Sequence, residues 1–443
     1  MKVFILLLVA TASISAGRID PSLSLAVYNG ETEAILELPE VMSVADSNAA
    51  LSSLPRDAKV SALVATLQGL TSAAQAPLIS VAASLGLATE QFWASNIILV
   101  KGLTSEKLAQ LASTPGDFVI RPHYTAMLHP TTRGPEVAPQ DNTTQTPQWG
   151  VAKINAPAAW ATTQGEGIVV AIIDTGVNLR HTALTEGYAG AWSDPFYNTA
   201  DPTDVQGHGS HCAGTVLGRA NGIGVAPGAR WIACRGLNNN GGTTESALTT
   251  CAQFMLTANP KPHIVSASWL QPFGSGWFNS QISAWRSAGI IPVFALGNSG
   301  PSCRTTVDPG NQPNLIAVGS TTDTDALSSF SSRGPSPSGA LKPQVSAPGS
   351  NVVSCGTGAN NYVTMSGTSM ATPHTAGTIA LILSANPTFG YDEVVNALST
   401  SAFEPPLSNA DRNCGLPGSG DFPNNAYGYG RIDAAAALRV SVR

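Results

Sequence analysis

The sequence predicts an α/β protein: a doubly wound parallel sheet flanked by helices, preceded by a small α+β unit. Two observations predict the sheet. Apolar runs recur at 168–173, 229–235, 263–268, 290–296 and 315–318, near-continuous rather than alternating, as in parallel strands covered on both faces. Helical stretches at 244–258 and 281–288 lie between them, the alternation that builds a doubly wound sheet. A third observation, strands and helices alternating before residue 130, predicts the small unit as a ferredoxin-like split βαβ.

In chain order, Met1-Lys2 precedes an apolar run over 3–10 and small residues up to Ala16. This reads as a signal peptide over 1–16, too short to span a bilayer as an anchor. In the 17–130 unit, 34–39 reads as a strand. Val60, Leu63, Val64 and Leu67 mark one face of a helix over 57–70. A second strand follows at 96–100, a short helix capped by Thr104, and a strand at 117–121. The alternative is an independent binding module. Residues 131–147 have almost nothing to bury and read as an exposed linker, where nicking concentrates. The linker carries the acceptor Asn142-Thr-Thr. The main domain is expected over 148–443.

The composition excludes several classes. The net charge of −6 with only 22 Lys+Arg argues against nucleic acid as a partner. No later stretch reaches about 18 uninterrupted apolar residues, so no membrane span is expected. Charged residues are only 11% while Gly is 43 and Pro 31, so the surface is expected to be Ser, Thr, Asn and Gln on many loops. Six cysteines, none spaced C-x-x-C, fit an oxidising compartment with disulfides rather than a zinc ribbon. Their pairing stays open. If Cys212 is a free thiol, at least one more cysteine is unpaired.

Four polar groups fall at ends of the predicted elements. Asp174 closes the run 168–173, His208 sits between Gly207 and Gly209, and Asn298 ends the run 290–296 with Gly297. Ser369 follows Gly367-Thr368 and opens a stretch of small residues up to Asn386. That stretch reads as a turn and a buried helix with Ser369 in the first turn. Pro373 is taken as tolerable near that start. A serine hydroxyl needs a neutral imidazole to take its proton. The imidazole needs a buried carboxylate on its other nitrogen, and the oxyanion needs a donor such as an amide side chain. Each residue has a bland alternative: a helix cap, a turn-bonding aspartate, half a metal site, a turn asparagine.

These segments resemble the subtilase, or subtilisin-like serine peptidase, family. The likeness covers 149 to about 437. It rests on Asp174-Thr-Gly, on Gly207-His-Gly-Ser-His-Cys-Ala-Gly-Thr215, on Ala295-Leu-Gly-Asn298, and on Gly367-Thr-Ser-Met-Ala-Thr-Pro-His374. Gln253-Phe-Met-Leu256, Ser329-Phe-Ser-Ser-Arg-Gly-Pro335 and the 424–433 segment look like the bacillopeptidase F branch. The resemblance implies that Asp174 orients, His208 is the base, Ser369 attacks and Asn298 stabilises the oxyanion. Ser268, Trp269 and Leu270 would line the substrate cleft as an edge strand, opposite Ala295, Leu296 and Gly297. The reaction would be hydrolysis of peptide bonds in proteins and peptides, with a preference for apolar residues before the scissile bond. The 17–130 unit would be a propeptide acting as intramolecular chaperone and inhibitor. The implied protein is a secreted, monomeric zymogen, cut by itself between Met127 and Gln148.

Ser210 stands where the family usually has Thr, Cys212 where Val is common, and Leu270 where Gly is usual. Cys212 looks like the buried free thiol of the proteinase K branch, which implies sensitivity to mercurials. His374 is read as structural. No cofactor is required for the chemistry. Structural calcium is compatible with the family, and the 193–204 loop offers Asp194, Asp201 and Asp204. A solvated acidic loop accounts for that spacing better, and no metal ligands are assigned. Rival readings are a catalytically dead homologue that binds peptides, an N-terminal unit acting separately as an inhibitor, and an esterase. The last would carry G-x-S-x-G in the order Ser, Asp, His, which Ser369 does not.

Overall fold

The computed structural model describes residues 16–43, 54–128, 130–140, 146–271, 276–416 and 420–440. Residues 1–15 of the expected signal peptide and the Asn142 acceptor fall outside the described residues. The chain divides into two compact units, 1–41 with 67–123 and 42–66 with 124–443.

The first unit has one five-stranded sheet. Its strands are β1 (Arg18–Ile19), β2 (Glu33–Glu37), β3 (Ala88–Phe92), β4 (Ile97–Lys101) and β5 (Val119–Arg121), in the order β1-β5-β2-β4-β3. Helix Arg56–Ser84 joins β2 to β3, and helix Ser105–Ala112 joins β4 to β5. With β2 central to both antiparallel neighbours, this is the split βαβ pattern. Thr104 caps the second helix, accepting from Lys107 N at 3.3 Å. The first helix runs well past the expected 57–70. By length and apolarity it could cross a membrane, but Leu78 and Ala82 pack into this unit's core with Ile98, Val100 and Ile120.

The second unit is built on seven parallel strands. They are β8 (Val169–Asp174), β9 (Tyr188–Ser193), β10 (Arg230–Arg235), β12 (Ile264–Ala267), β14 (Ile291–Ala295), β15 (Ile316–Thr321) and β16 (Val345–Pro348). The order is β16-β15-β14-β12-β8-β10-β9. β8, β12, β14 and β15 are buried at every position, the two-sided burial that their continuous apolar runs encode. On one face, Val170 and Ile172 pack with residues of helices His208–Leu217 and Thr368–Ala385. On the other, a Cβ at Gly236 would meet Ile173 and Leu248, where helix Glu245–Thr257 lies beside helix Asn279–Ser287.

Two small antiparallel sheets complete the unit. One is β11 (Gly242–Thr244), β6 (Thr125–Leu128) and β13 (Trp269–Leu270), with β6 in the middle. The other is β17 (Val352–Cys355), β18 (Tyr362–Ser366) and β7 (Thr132–Val137). Within the stretch expected to be an exposed linker, 132–137 form a strand while their side chains stay largely exposed. Its main chain pairs with a sheet edge, which needs no apolar side chains. Disulfides join Cys234 to Cys251 and Cys303 to Cys414. Cys212 and Cys355 are free and buried, as the odd count requires once Cys212 is unpaired.

Candidate active site

Asp174 is the last residue of β8 and lies beside β10 and β12 at the carboxyl ends of the sheet. The chain winds away from β8 to both sides, the place where doubly wound sheets hold ligands. His208 opens the helix His208–Leu217 after Gly207, which has φ 96°. Gly209 lets that helix start touch β8: a Cβ there would lie 2.0 Å from Gly176 O and 2.9 Å from Asp174 Cβ. His208 Nδ1 consequently sits 2.8 Å from Asp174 Oδ1, with both side chains 1% exposed. Thr175 N donates to the same oxygen at 2.8 Å.

A second buried carboxylate braces this pair. Asp204 accepts from Thr175 Oγ1, Gln206 N, Gly207 N, Ser210 N and Ser210 Oγ at 2.7–3.1 Å. Thr175 Oγ1 in turn accepts from Gly209 N at 3.0 Å. Ser210 thus does by hydroxyl what a threonine would. Burial works against charge on His208, but the adjacent Asp174 carboxylate prevails and raises the imidazole well above its ordinary value. His211 and His374 have no such partner. Burial pushes them down to about 3 and about 4. His211 Nε2 bonds Val352 O and His374 Nδ1 bonds Met370 O, so both are structural.

Ser369 is the second residue of helix Thr368–Ala385, after the cap Gly367. Pro373 lies inside the helix rather than in its first turn, which corrects the sequence reading. A proline there removes the bond that Ser369 O would accept from the residue four ahead. The freed carbonyl is taken by Ser268 Oγ at 3.1 Å and Cys212 Sγ at 3.4 Å. Cys212 is therefore a donor to the backbone of Ser369, and its Sγ also lies 3.9 Å from His208 Nδ1. Ser369 Oγ rests against Ser268 O at 3.4 Å. His208 Nε2 has no hydrogen-bond partner among the described residues.

Asn298 is fixed by its oxygen. Oδ1 accepts from Thr368 N and Thr368 Oγ1, both at 2.8 Å, while Thr368 Oγ1 accepts from Gly297 N at 3.2 Å. This turns Nδ2 outward, where it donates to Pro130 O at 2.9 Å. The neighbouring Thr131 comes close to Gly367: a Cβ there would lie 3.0 Å from Thr131 Cγ2 and 3.1 Å from Asn298 Nδ2.

Of the expected cleft residues, Trp269 and Leu270 form β13 opposite Leu128 and Met127, and Ser268 supports Ser369. Ala295 and Leu296 are buried, and Leu296 O accepts from Val307 N at 3.2 Å. β11, which pairs with the other edge of β6, was not expected from the sequence. Neither was Thr368's hold on Asn298. The only signal for β11 was the turn-forming run Asn238-Asn-Asn-Gly-Gly before Thr243.

The acidic loop does not fit calcium through Asp194 or Asp204. Asp194 accepts from Phe196 N, Tyr197 N, Thr199 N and Thr199 Oγ1, and pairs with buried Arg235 at 3.6 Å. Its oxygens are committed to donors already, as are those of Asp204.

A comparison with protein families matches residues 165–430 to the subtilase family. The chain belongs to the subtilases. It is 37% identical over 327 residues to Bacillopeptidase F of Bacillus subtilis, covering 66% of this chain and 22% of that protein. It is 36% identical to Thermitase of Thermoactinomyces vulgaris over 56% of this chain and 85% of the relative. It is 33% identical to Serine protease AprX of Bacillus subtilis, over 62% and 66%. The chain thus spans about a fifth of the length of Bacillopeptidase F. Subtilases are serine endopeptidases that need no cofactor for catalysis, and this chain has their α/β fold.

Proposed function

We propose that the protein is a secreted serine endopeptidase made as a zymogen, and that its own 124–137 stretch lies in the cleft as the first substrate. The carrying observation is the bond from Asn298 Nδ2 to Pro130 O. It sits where β6, between β11 and β13, hands over to β7. A carbonyl held by the amide beside Ser369 is a carbonyl poised for attack.

Ser369 Oγ attacks that carbonyl carbon, and His208 Nε2 takes the proton. Asp174 holds Nδ1–H and stabilises the imidazolium. The oxyanion is received by Asn298 Nδ2 and by the backbone N–H of Ser369 in the first turn of helix Thr368–Ala385. His208 returns its proton to the leaving amine, and water then releases the acyl group by the same steps reversed. The apolar wall Ala295-Leu-Gly297 favours apolar residues before the scissile bond. Residues 17–130 act as propeptide, and the apolar run of 3–10 directs secretion. No calcium ligand is assigned.

Labelling with a fluorophosphonate probe and intact mass tests this on wild type and Ser369→Ala. Wild type should label once and start at Thr131 or a later residue up to Gln148. The mutant should stay unlabelled and keep the 17–130 segment, having lost about 10⁶ in kcat. Identical processing of both would show that another protease does the cutting.

A further inference from the structure

With the carbonyl of Pro130 at Asn298, everything after it lies on the leaving-group side of the cleft. Counting Thr131 as first, Gly134 is the fourth residue and Val137 the seventh. This stretch is a strand. Thr132 lies opposite Ser366, Arg133 opposite Met365, Glu136 opposite Val363, and Val137 opposite Tyr362. The other edge of β18 is taken by β17. A segment added to a sheet edge is held through main-chain groups that any sequence supplies, and flanking side chains add selectivity.

Each position has a local reason. The register shifts between Val363 and Met365, where Gly134 and Pro135 pass Thr364. A Cβ at Gly134 would sit 3.3 Å from Thr364 Cβ, so the fourth position takes a small residue. Asn361 Nδ2 donates to Glu136 Oε1 at 3.2 Å, so the sixth takes an acceptor. Val137 packs against the main core cluster, which includes Tyr362, so the seventh is apolar.

We propose that this edge of β18 is a substrate site. In the processed enzyme, β7 leaves it and the fourth to seventh residues beyond a substrate's scissile bond add as an antiparallel strand. The proposal rests on the peptidase reading above and names the substrate class: long, extended polypeptide rather than short peptides.

Two internally quenched peptides decide it, assayed with processed enzyme. Both carry the sequence of 125–133. One ends there as an amide and the other continues through 137. The longer peptide should have a kcat/KM about tenfold higher, mostly through KM, the size of one or two added hydrogen bonds. In wild type, replacing Glu by Lys at the sixth position should remove most of that gain. Asn361→Asp keeps the oxygen that accepts from Gly358 N but swaps the donor for a carboxylate. It should reverse the Glu-over-Lys preference and leave the shorter peptide's rate unchanged. Equal kcat/KM for the two lengths overturns the site while leaving the peptidase reading intact. So does an Asn361→Asp enzyme that slows both peptides alike. Cleavage of neither peptide overturns both readings.

Discussion

Asn298 turns its amide oxygen to Thr368 and its nitrogen outward, so the direction of the donor is set by the neighbour of Ser369. Asn298→Ala should therefore lower kcat by about 10²–10³ with KM little changed. Steady-state kinetics on any cleaved peptide reads this, and a change confined to KM would assign the residue to ground-state binding. The placement of Asp174, His208 and Ser369 at the ends of elements was legible because each stands in an unusual neighbour pattern. The hold of Thr368 on Asn298 was not, nor was the contact of Cys212 with Ser369 O, although Cys212 was legible as a buried free thiol. One acts on the amide side chain of Asn298 and the other on a backbone carbonyl freed by Pro373, and such partners have no sequence spacing. Sequence reading placed Pro373 by analogy with first-turn prolines. The helix begins early enough that the proline falls in its interior.

The helix His208–Leu217 meets β8 through glycine. A methyl group on Gly209 would overlap Gly176 O, 2.0 Å away, and only backbone movement relieves that. Gly209→Ala should cost about 1–3 kcal/mol of stability. It should also lower kcat/KM, because the moved backbone carries His208. Thermal midpoint and turnover measured together check this, and an unchanged midpoint would refute it. The same principle packs helix Thr368–Ala385, where Gly377 faces Val225 and Val216 O. Its run of small residues was legible as a buried helix, since it has no polar face to turn outward. The central strands were legible for the same reason. β9 and β16 lie at the sheet's edges, where continuous apolar runs are not required. The strands of the two small sheets are two to six residues long and gain their pairing from distant segments, so β6 and β7 could not be read from local pattern.

At the scale of the whole molecule, Lys342 is one of several charged side chains buried in a chain of only 11% charged residues. Lys342 is fully buried, with Nζ bonded to Gln344 Oε1 at 3.1 Å and Leu315 O at 3.4 Å. Burial pushes its pKa from 10.5 down to about 7. Between those values the unfolded chain holds a proton that the folded one has released. The contribution of Lys342 to stability thus rises with pH from about 7 to 10.5 and is flat outside that window. Lys342→Met should flatten the slope of the unfolding free energy across this range and raise stability most at its acid end. Denaturant titrations at several pH values measure it, and a slope unaltered by the substitution would exclude Lys342 as its source.

The disulfide between Cys303 and Cys414 spans 111 residues, and Ser369 lies within the span. An endopeptidase in concentrated solution is exposed to its own copies, and its loop tips are the natural places to be clipped. The polar 336–340 turn, with Pro337, Ser338 and Gly339 exposed, is such a tip inside the span. A clip there would leave two fragments still tethered through sulfur. The segment bearing Ser369 could not diffuse away from the segment bearing Asp174 and His208, and the wounded molecule would keep the means to re-close.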